Sequence, residues 1–267
     1  MRVQDLGQAP TTALCDTCPS PDRCLTRPLF QHLQDQRSLD IRVSAYSTAT
    51  WVIRQHEPQV GIHIIRDGCV AISAERADHR ETVLYLEGRG VIMNLEDWVL
   101  DRPTYSLSAR TLTESTIIFI GKDDLRRLFT EDPAISKLMT AHLARRMEVI
   151  RRRHIAHLTT NVKSRLVSAF RELLEATGQH QSREAHFESP ITRQLLADIV
   201  GAAPESISRA MTEIETETLI IRNPSRISIP DVPRFIHYSN KAAYETAPDH
   251  PSRNQDRTTP YELLEQQ

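Results

Sequence analysis

Long apolar stretches are missing from this chain, although 39% of its 267 residues are hydrophobic. No uninterrupted apolar run approaches the roughly 20 residues that a membrane-spanning helix needs. The N-terminal residues, MRVQDLGQAPTTALC, also lack the continuous apolar segment of a secretory signal. We therefore expect a soluble, cytoplasmic protein with no membrane partner and with enough residues for two domains.

An excess of charge of one sign is also missing, because the formal net charge is only -2. Net charge therefore neither supports nor excludes nucleic acid as a partner, since a DNA-binding face can be local. The sequence contains no Ser-His-Asp arrangement, nucleotide-binding loop or paired-carboxylate pattern of the kind that indicates an enzyme. We predict that the chain is not an enzyme.

Cysteine is scarce, yet three of the four cysteines lie in one short N-terminal stretch, LCDTCPSPDRC. Thiols stay reduced in the cytoplasm, so Cys15, Cys18 and Cys24 indicate metal binding or redox chemistry rather than a disulfide. Prolines interrupt the surrounding sequence, and no strand alternation is visible there. We expect residues 1–28 to form an irregular arm that carries these cysteines.

Residues 29–130 carry the signals of a β domain. Short runs rich in β-branched and aromatic residues, such as WVIRQ, GIHIIRDGCVAISAE and STIIFIG, alternate with RDG and GRG turn signals. Strands at this spacing are typical of a sandwich or jelly roll. The pattern predicts an N-terminal β-roll sensor domain and, with the helices that follow, an α+β fold.

A helical period begins after Gly121. Apolar residues recur every three or four positions from Ile135 to Leu158 in a narrow stripe, as at a seam between two helices. This predicts a homodimer and a dimerisation helix at residues 131–160, with a seam of Met139, Leu143, Met147 and Ile150. A core helix within one chain would show the same period. Like charges that would oppose pairing crowd this helix with only Glu148 nearby: Arg145, Arg146, Arg151, Arg152 and Arg153.

The segment ITRQLLADIVGAAPESISRAMTEIETE contains two helical patterns separated by GAAP, which is helix-turn-helix spacing. Two short β runs in LIIRNPSRISIP complete a predicted winged-helix DNA-binding domain at residues 161–235. The first exposed residues of a recognition helix contact base edges, and here they are Glu205, Ser206, Ser208 and Arg209, with Arg193 also near the DNA. A solvated helix face would show the same pattern. The polar residues 236–267 are expected to be disordered or loosely packed.

The order of cysteine arm, β-roll, long helix and winged helix resembles the CRP/FNR superfamily of bacterial transcription regulators. The ESISR sequence at residues 205–209 is similar to the recognition helix of its FNR branch. This resemblance implies a dimer that reads palindromic TTGAT half-sites through Glu205, Ser208 and Arg209, and that contacts RNA polymerase. It also implies that the Cys15-x2-Cys18-x5-Cys24 spacing holds three corners of a [4Fe-4S] cluster that senses oxygen or nitric oxide. A zinc site and incidental thiols are the alternatives.

The FNR branch has its fourth cysteine in the last strand of the roll, where this chain reads STIIFIG. Cys69 follows an Asp-Gly turn, at a predicted strand start near the surface of the roll, and is the candidate fourth ligand. A small buried hydrophobe is the other interpretation of Cys69. An alternative sensor, haem or another metal, would use histidines: His63, His79, His142, His154 and His157.

A cyclic nucleotide is another effector that this fold could hold. By the resemblance, a Gly-Glu pair and an Arg-Ser-Ala segment bind it, whereas residues 93–97 and 105–109 read MNLED and YSLSA. We therefore expect no cyclic nucleotide binding. Two further departures concern stability: Ala203 stands at a helix N-cap usually filled by Thr or Ser, and Thr218 stands where a Gly precedes the wing.

Overall fold

The computed structural model describes residues 3–5, 41–131, 133–188, 191–223 and 226–244. Cys15, Cys18 and Cys24 lie outside these ranges, as do residues 245–267. Within the described ranges, a β-roll is followed by one long helix and then by a winged-helix domain. None of the described helices is both long enough and apolar enough to cross a membrane.

The β-roll consists of two facing antiparallel sheets. The first has the order β1-β2-β9-β4-β7, built from Val3–Asp5, Ile41–Tyr46, Ser115–Gly121, Gly61–Asp67 and Ile92–Met93. The second has the order β3-β8-β5-β6, built from Trp51–Ile53, Ser108–Thr111, Val70–Glu75 and Glu81–Glu87. The predicted roll is therefore confirmed. The expectation that the arm contains no strand is wrong for Val3–Asp5, which pairs with β2.

Side chains of β9 point alternately to the two faces of its sheet, and each face packs in a separate apolar layer. Ile117 faces the interior between the sheets, where it packs in one cluster with Ile65 and Ile72. Ile118 and Ile120 face the opposite side, and these two residues pack against the helices. A strand with period two can serve both layers because successive side chains point to opposite faces.

In the described part of the chain, three helices pack with the roll or follow it. They are α1 (Leu95–Val99), α2 (Lys122–Glu131) and α3 (Pro133–Thr159). The last of these confirms the predicted long helix. Pro133 is tolerated at its first position because the backbone N–H that proline lacks would have no intrahelical partner there. Its N-terminal part packs on the roll through Ile135 and Met139, while Met147 and Ile150 are exposed. Met139 therefore belongs to the core of its own chain rather than to a free seam, and Leu143 is partly buried against the same cluster.

The winged-helix domain begins with α4 (Val162–Ala176), which Asn161 caps by accepting from the Ser164 N–H at 2.8 Å. A short 3-10 turn, Gln179–Gln181, and β10 (Ala185–Glu188) lead to the helix-turn-helix, α5 (Arg193–Val200) and α6 (Pro204–Thr216). The wing is the hairpin of β11 (Ile221–Asn223) and β12 (Arg226–Ile229). The last helix, α7 (Val232–Tyr244), corrects the expectation of disorder for residues 236–244, because Phe235 and Ile236 give it an apolar face that packs on the domain core.

The turn between α5 and α6 depends on Gly201. Its φ of 63° lies in the left-handed region, as expected for a glycine that ends a helix. A Cβ atom at this position would lie 2.7 Å from the Cε1 atom of His157, near the end of α3. The end of the long helix therefore packs directly on the helix-turn-helix.

One hydrophobic cluster spans the roll and the winged-helix domain. From the roll it includes Cys69, Ala71, Leu86 and Leu112, and from the winged-helix domain Leu173 and Phe187, among others. The two domains therefore share a core in this structure.

Candidate DNA interface and effector region

The recognition helix α6 exposes one face and buries the other. Ile207, Met211 and Ile214 are buried in the domain core. Glu205 and Arg209 are exposed, while Ser206 and Ser208 are half-buried. The Ser208 hydroxyl donates to the Pro204 carbonyl at 3.0 Å. A carboxylate and a guanidinium one turn apart near the start of an exposed helix are suited to contacting cytosine N4 and guanine N7/O6.

The arginines of the domain differ in what they contact. Arg193 is exposed at the start of α5. Arg222 in the wing instead donates through Nε to Glu215 at 2.8 Å, and the Glu215 carboxylate also accepts from the Arg222 N–H at 3.1 Å. These hydrogen bonds lower the pKa of Glu215 and fix the wing to the C-terminal end of α6. Arg222 therefore acts first as a structural residue.

Two departures noted in the sequence are visible in the backbone. Ala203 is the N-cap of α6 and supplies no side-chain cap, as predicted. Thr218 has a φ of 58°, so the residue before the wing adopts the left-handed conformation for which a glycine would be preferred.

The segment of residues 88–109 leads from β6 through a turn and α1 into β8. Gly90 has a φ of 81°, and Asn94, the N-cap of α1, has φ 53° and ψ 33°. The Asn94 amide Nδ2 donates to the Leu107 carbonyl at 3.1 Å. The turn, the short helix and the following loop are therefore held as one unit.

Asp97 connects α1 to this loop. Its carboxylate is completely buried, pairs with Arg102 Nη1 at 3.0 Å and accepts from the Ser106 N–H at 2.8 Å. The guanidinium of Arg102 is about half exposed. This pair was not predicted from the sequence, where its only signal is an acid and an arginine five positions apart in DWVLDR.

The sequence suggested that Cys69 lies near the surface of the roll, and this prediction is wrong. Cys69 is completely buried beside Leu112, and its N–H donates to Thr113 Oγ1 at 2.9 Å. Burial, with Glu87 acting in the same direction, raises the pKa of the Cys69 thiol to about 12. Among the described residues, no three His, Cys, Asp or Glu side chains are grouped so as to hold a metal ion.

The candidate histidines for a haem site are dispersed. His63 lies inside the roll, with its ring centroid 5.0 Å from that of Phe119. His142 Nε2 accepts from the Ile92 N–H at 3.3 Å on the other side of the sheet. Burial lowers the pKa of both imidazoles to about 4. His79 and His154 are exposed.

The predicted crowd of arginines on α3 is only partly unpaired. Arg146 pairs with Glu87 at 2.9 Å, and Arg153 pairs with Glu172 at 2.8 Å. Arg145, Arg151 and Arg152 are exposed, close to the exposed apolar residues Met147 and Ile150. Arg152 also pairs with Glu148, at 3.7 Å. The like-charge argument therefore applies to Arg145 and Arg151 rather than to five arginines.

Comparisons with known proteins agree with both domains. Residues 43–132 match the cyclic nucleotide-binding domain, and residues 164–238 match the Crp-like helix-turn-helix domain. A CRP-like cAMP-activated global transcriptional regulator of Mycobacterium tuberculosis is 24% identical, with 66% of this chain and 82% of that protein covered.

Two solved structures share the fold. The c-di-GMP responsive global regulator CLP of Xanthomonas campestris has a TM-score of 0.59 at 23% identity, covering 71% of this chain and 93% of that one. FixK2 from Bradyrhizobium japonicum has a TM-score of 0.61 at 17% identity, covering 74% and 97%.

A β-roll, a long helix and a winged helix with an exposed recognition face define a regulator that joins an effector domain to a DNA-binding domain. With both domain matches, the chain belongs to the CRP/FNR family of DNA-binding transcription regulators.

The expectation that the chain takes no cyclic nucleotide is wrong. It is overturned by the match of residues 43–132 to the cyclic nucleotide-binding domain and by the cAMP-activated relative. The expectation relied on three missing residue types. The structure shows that Asn94 adopts a left-handed conformation without being glycine, and that Asp97 and Arg102 bring an acid and a guanidinium to the segment from other positions.

Proposed function

We propose that this regulator reads a palindromic DNA site as a homodimer and that a cyclic nucleotide bound by the β-roll controls it. The observation that carries the DNA part is the exposed pair Glu205 and Arg209 on a recognition helix whose opposite face is buried. The match of residues 43–132 supports the nucleotide part. A cytoplasmic location, RNA polymerase as a partner and the absence of enzymatic activity stay predictions.

The DNA part is tested by gel shift with a TTGAT palindrome and with single-base variants. Arg209→Ala should cost about 1–3 kcal/mol of binding and relax the preference at one base pair. Arg193→Ala should weaken binding to all DNA sequences alike. It should also reduce the slope of log affinity against log salt concentration by about 1. Arg234→Ala is a control, because its side chain donates to Thr218 and to the Glu217 carbonyl. Equal binding of palindrome and scrambled DNA would contradict the proposal.

The nucleotide part is tested by calorimetric titration with cAMP, cGMP and c-di-GMP. We expect heats with one of the three, and weaker binding by Arg102→Gln, because Arg102 is the half-exposed guanidinium of residues 88–109 that pairs with Asp97. Arg126→Gln is the matched control, since Arg126 on α2 is similarly exposed and pairs with Asp101 in the turn after α1. No heat with any of the three would refute the nucleotide part and leave the DNA part standing.

A second candidate signal is oxygen or nitric oxide, received by a [4Fe-4S] cluster at Cys15, Cys18 and Cys24. The observation that favours it is the Cys-x2-Cys-x5-Cys spacing. The surroundings of Cys69 do not fit the fourth ligand well, because cluster ligands are thiolates and this thiol is buried with a pKa of about 12. The ligand role of Cys69 stays a prediction.

The cluster is tested on protein purified without oxygen, by visible absorption and by iron and sulfide content. A brown wild type and a colourless Cys18→Ser variant would support the cluster. Cys69→Ala separates the two roles of this thiol: loss of colour assigns the fourth ligand to Cys69, and retained colour assigns it elsewhere. A colourless wild type would refute the cluster.

A further inference from the structure

Five side chains form a partly buried polar cluster that joins three parts of the molecule. Tyr85 and Glu87 come from β6 of the roll, Arg146 and Arg153 from α3, and Glu172 from α4 of the winged-helix domain. Arg146 Nη1 donates to Glu87 at 2.9 Å, and its Nη2 donates to the Tyr85 hydroxyl at 2.8 Å.

Arg153 makes the second connection. It contacts Glu172 in a bidentate manner, through Nε at 2.9 Å and Nη2 at 2.8 Å. Positions 146 and 153 are seven residues apart, so two helical turns place both arginines on one face of α3. Both guanidiniums lie over the Tyr85 ring, at 5.3 and 5.1 Å from its centroid. The tyrosine is thus shared by the two ion pairs.

The ion pairs are protected from water. The exposed fractions are 12% and 18% for Arg146 and Glu87, and 22% and 26% for Arg153 and Glu172. Burial raises the pKa of Glu87 and of Glu172, and the arginines oppose this effect. Removing one partner of such a pair leaves an uncompensated charge, which is more costly than losing an exposed pair.

Backbone contacts accompany the cluster. Gly88 directly follows Glu87, and a Cβ atom there would lie 2.5 Å from Cα of Ala176, the last residue of α4. Further along β6, the Val83 N–H donates to Asp198 Oδ2 of α5 at 3.3 Å. The strand β6 lies at the edge of its sheet, so the winged-helix domain covers an edge that would otherwise present unpaired backbone groups.

We propose that Tyr85, Glu87, Arg146, Arg153 and Glu172, together with the close contact at Gly88, form a latch that docks the winged-helix domain on β6. Gly88 begins residues 88–109, so the latch connects that segment to the orientation of the recognition helix. In a two-fold dimer, this orientation sets the distance between the two recognition helices. The latch operates whichever effector the regulator uses.

The first test compares charge-removing variants with matched controls in the full chain. Glu172→Gln should undock the domain, whereas Glu175→Gln, one turn away and more exposed, should not. Arg153→Gln should act like Glu172→Gln, and Arg152→Gln, its exposed neighbour, should act like the wild type. Undocking is measured as a larger radius of gyration in small-angle X-ray scattering and as separate unfolding transitions of the two domains.

A functional readout distinguishes docking from a general loss of stability. Undocked domains should bind a palindrome about tenfold more weakly while binding a single half-site as before, because only the palindrome requires a fixed orientation of two domains. The charge swap that combines Arg153→Glu with Glu172→Arg should restore the ratio between palindrome and half-site. A wild-type radius and a wild-type ratio in both Glu172→Gln and Arg153→Gln would overturn the latch.

Gly88→Ala tests the latch without changing a charge. The added methyl group has no room against Ala176, so it should also undock the domain. Gly121→Ala is the control, because the nearest atom to a Cβ there is 4.0 Å away. If Gly88→Ala does not fold, the charge variants alone decide. If it folds and stays docked, the proposed role of the backbone contact is refuted.

Discussion

The two halves of the long helix α3 carry the same apolar period and have different surroundings. In the first half, Ile135 and Met139 are each 1% exposed and pack on the roll. In the second half, Met147 is 72% and Leu158 is 73% exposed. Periodicity shows that a face is apolar but not what covers it. The first half is covered by its own chain, whereas Met147 and Leu158 in the second half are exposed in the single chain.

The largest expected difference between the halves is in the stability of a single chain. Met139→Ala should lower the free energy of unfolding by about 2–5 kcal/mol, because it leaves a cavity in the layer between the roll and α3. Met147→Ala should change it by less than about 0.5 kcal/mol. Denaturant unfolding at a concentration where the protein is monomeric measures both. Equal effects would show that the two halves are not packed differently.

The second difference is in pH dependence. Burial, with Arg146 as the next cause, lowers the pKa of His142 from 6.5 to about 4, so the unfolded chain binds the proton more readily between these values. The stabilisation from neutral His142 is complete above pH 6.5 and is lost as pH falls toward 4, by at most about 3 kcal/mol.

His142→Gln should therefore make the free energy of unfolding less dependent on pH between 6.5 and 4. Glutamine can still accept from the Ile92 N–H, but it does not titrate. His63 contributes in the same window, so some slope should remain. An unaltered slope in His142→Gln would contradict the assignment.

The smallest expected effect concerns association. Ile150→Glu places a charge on the exposed seam, beside Arg151 and Met147, and should weaken dimerisation by about 10- to 100-fold with the monomer still folded. Sedimentation equilibrium measures the dimer constant, and circular dichroism checks the fold. Leu84→Glu is the control, an exposed apolar residue on the roll. If only the control dissociates the dimer, the seam lies elsewhere.

The sequence predicted those elements whose signals are local. The last strand of the roll, the limits of α3 and the helix-turn-helix follow from alternation, period and turn residues, and the uncapped Ala203 follows from its place before Pro204. Met139 was predicted to lie at the dimer seam, whereas it packs on the roll of its own chain. An apolar stripe on a helix does not show which surface packs against it. Asp97 with Arg102 and Arg153 with Glu172 were missed because each pair forms only when the loop or the helices are in place.

The contact between Gly201 and His157 makes these two positions interdependent in evolution. Replacing Gly201 by alanine meets two obstacles, the left-handed backbone and the imidazole ring. Trimming His157 would remove only the ring, and asparagine at position 201 would suit only the backbone. Neither single change alone makes a larger side chain acceptable at position 201, so we expect strong epistasis between the two positions. Laboratory selection for altered DNA specificity should therefore find its solutions elsewhere in the helix-turn-helix.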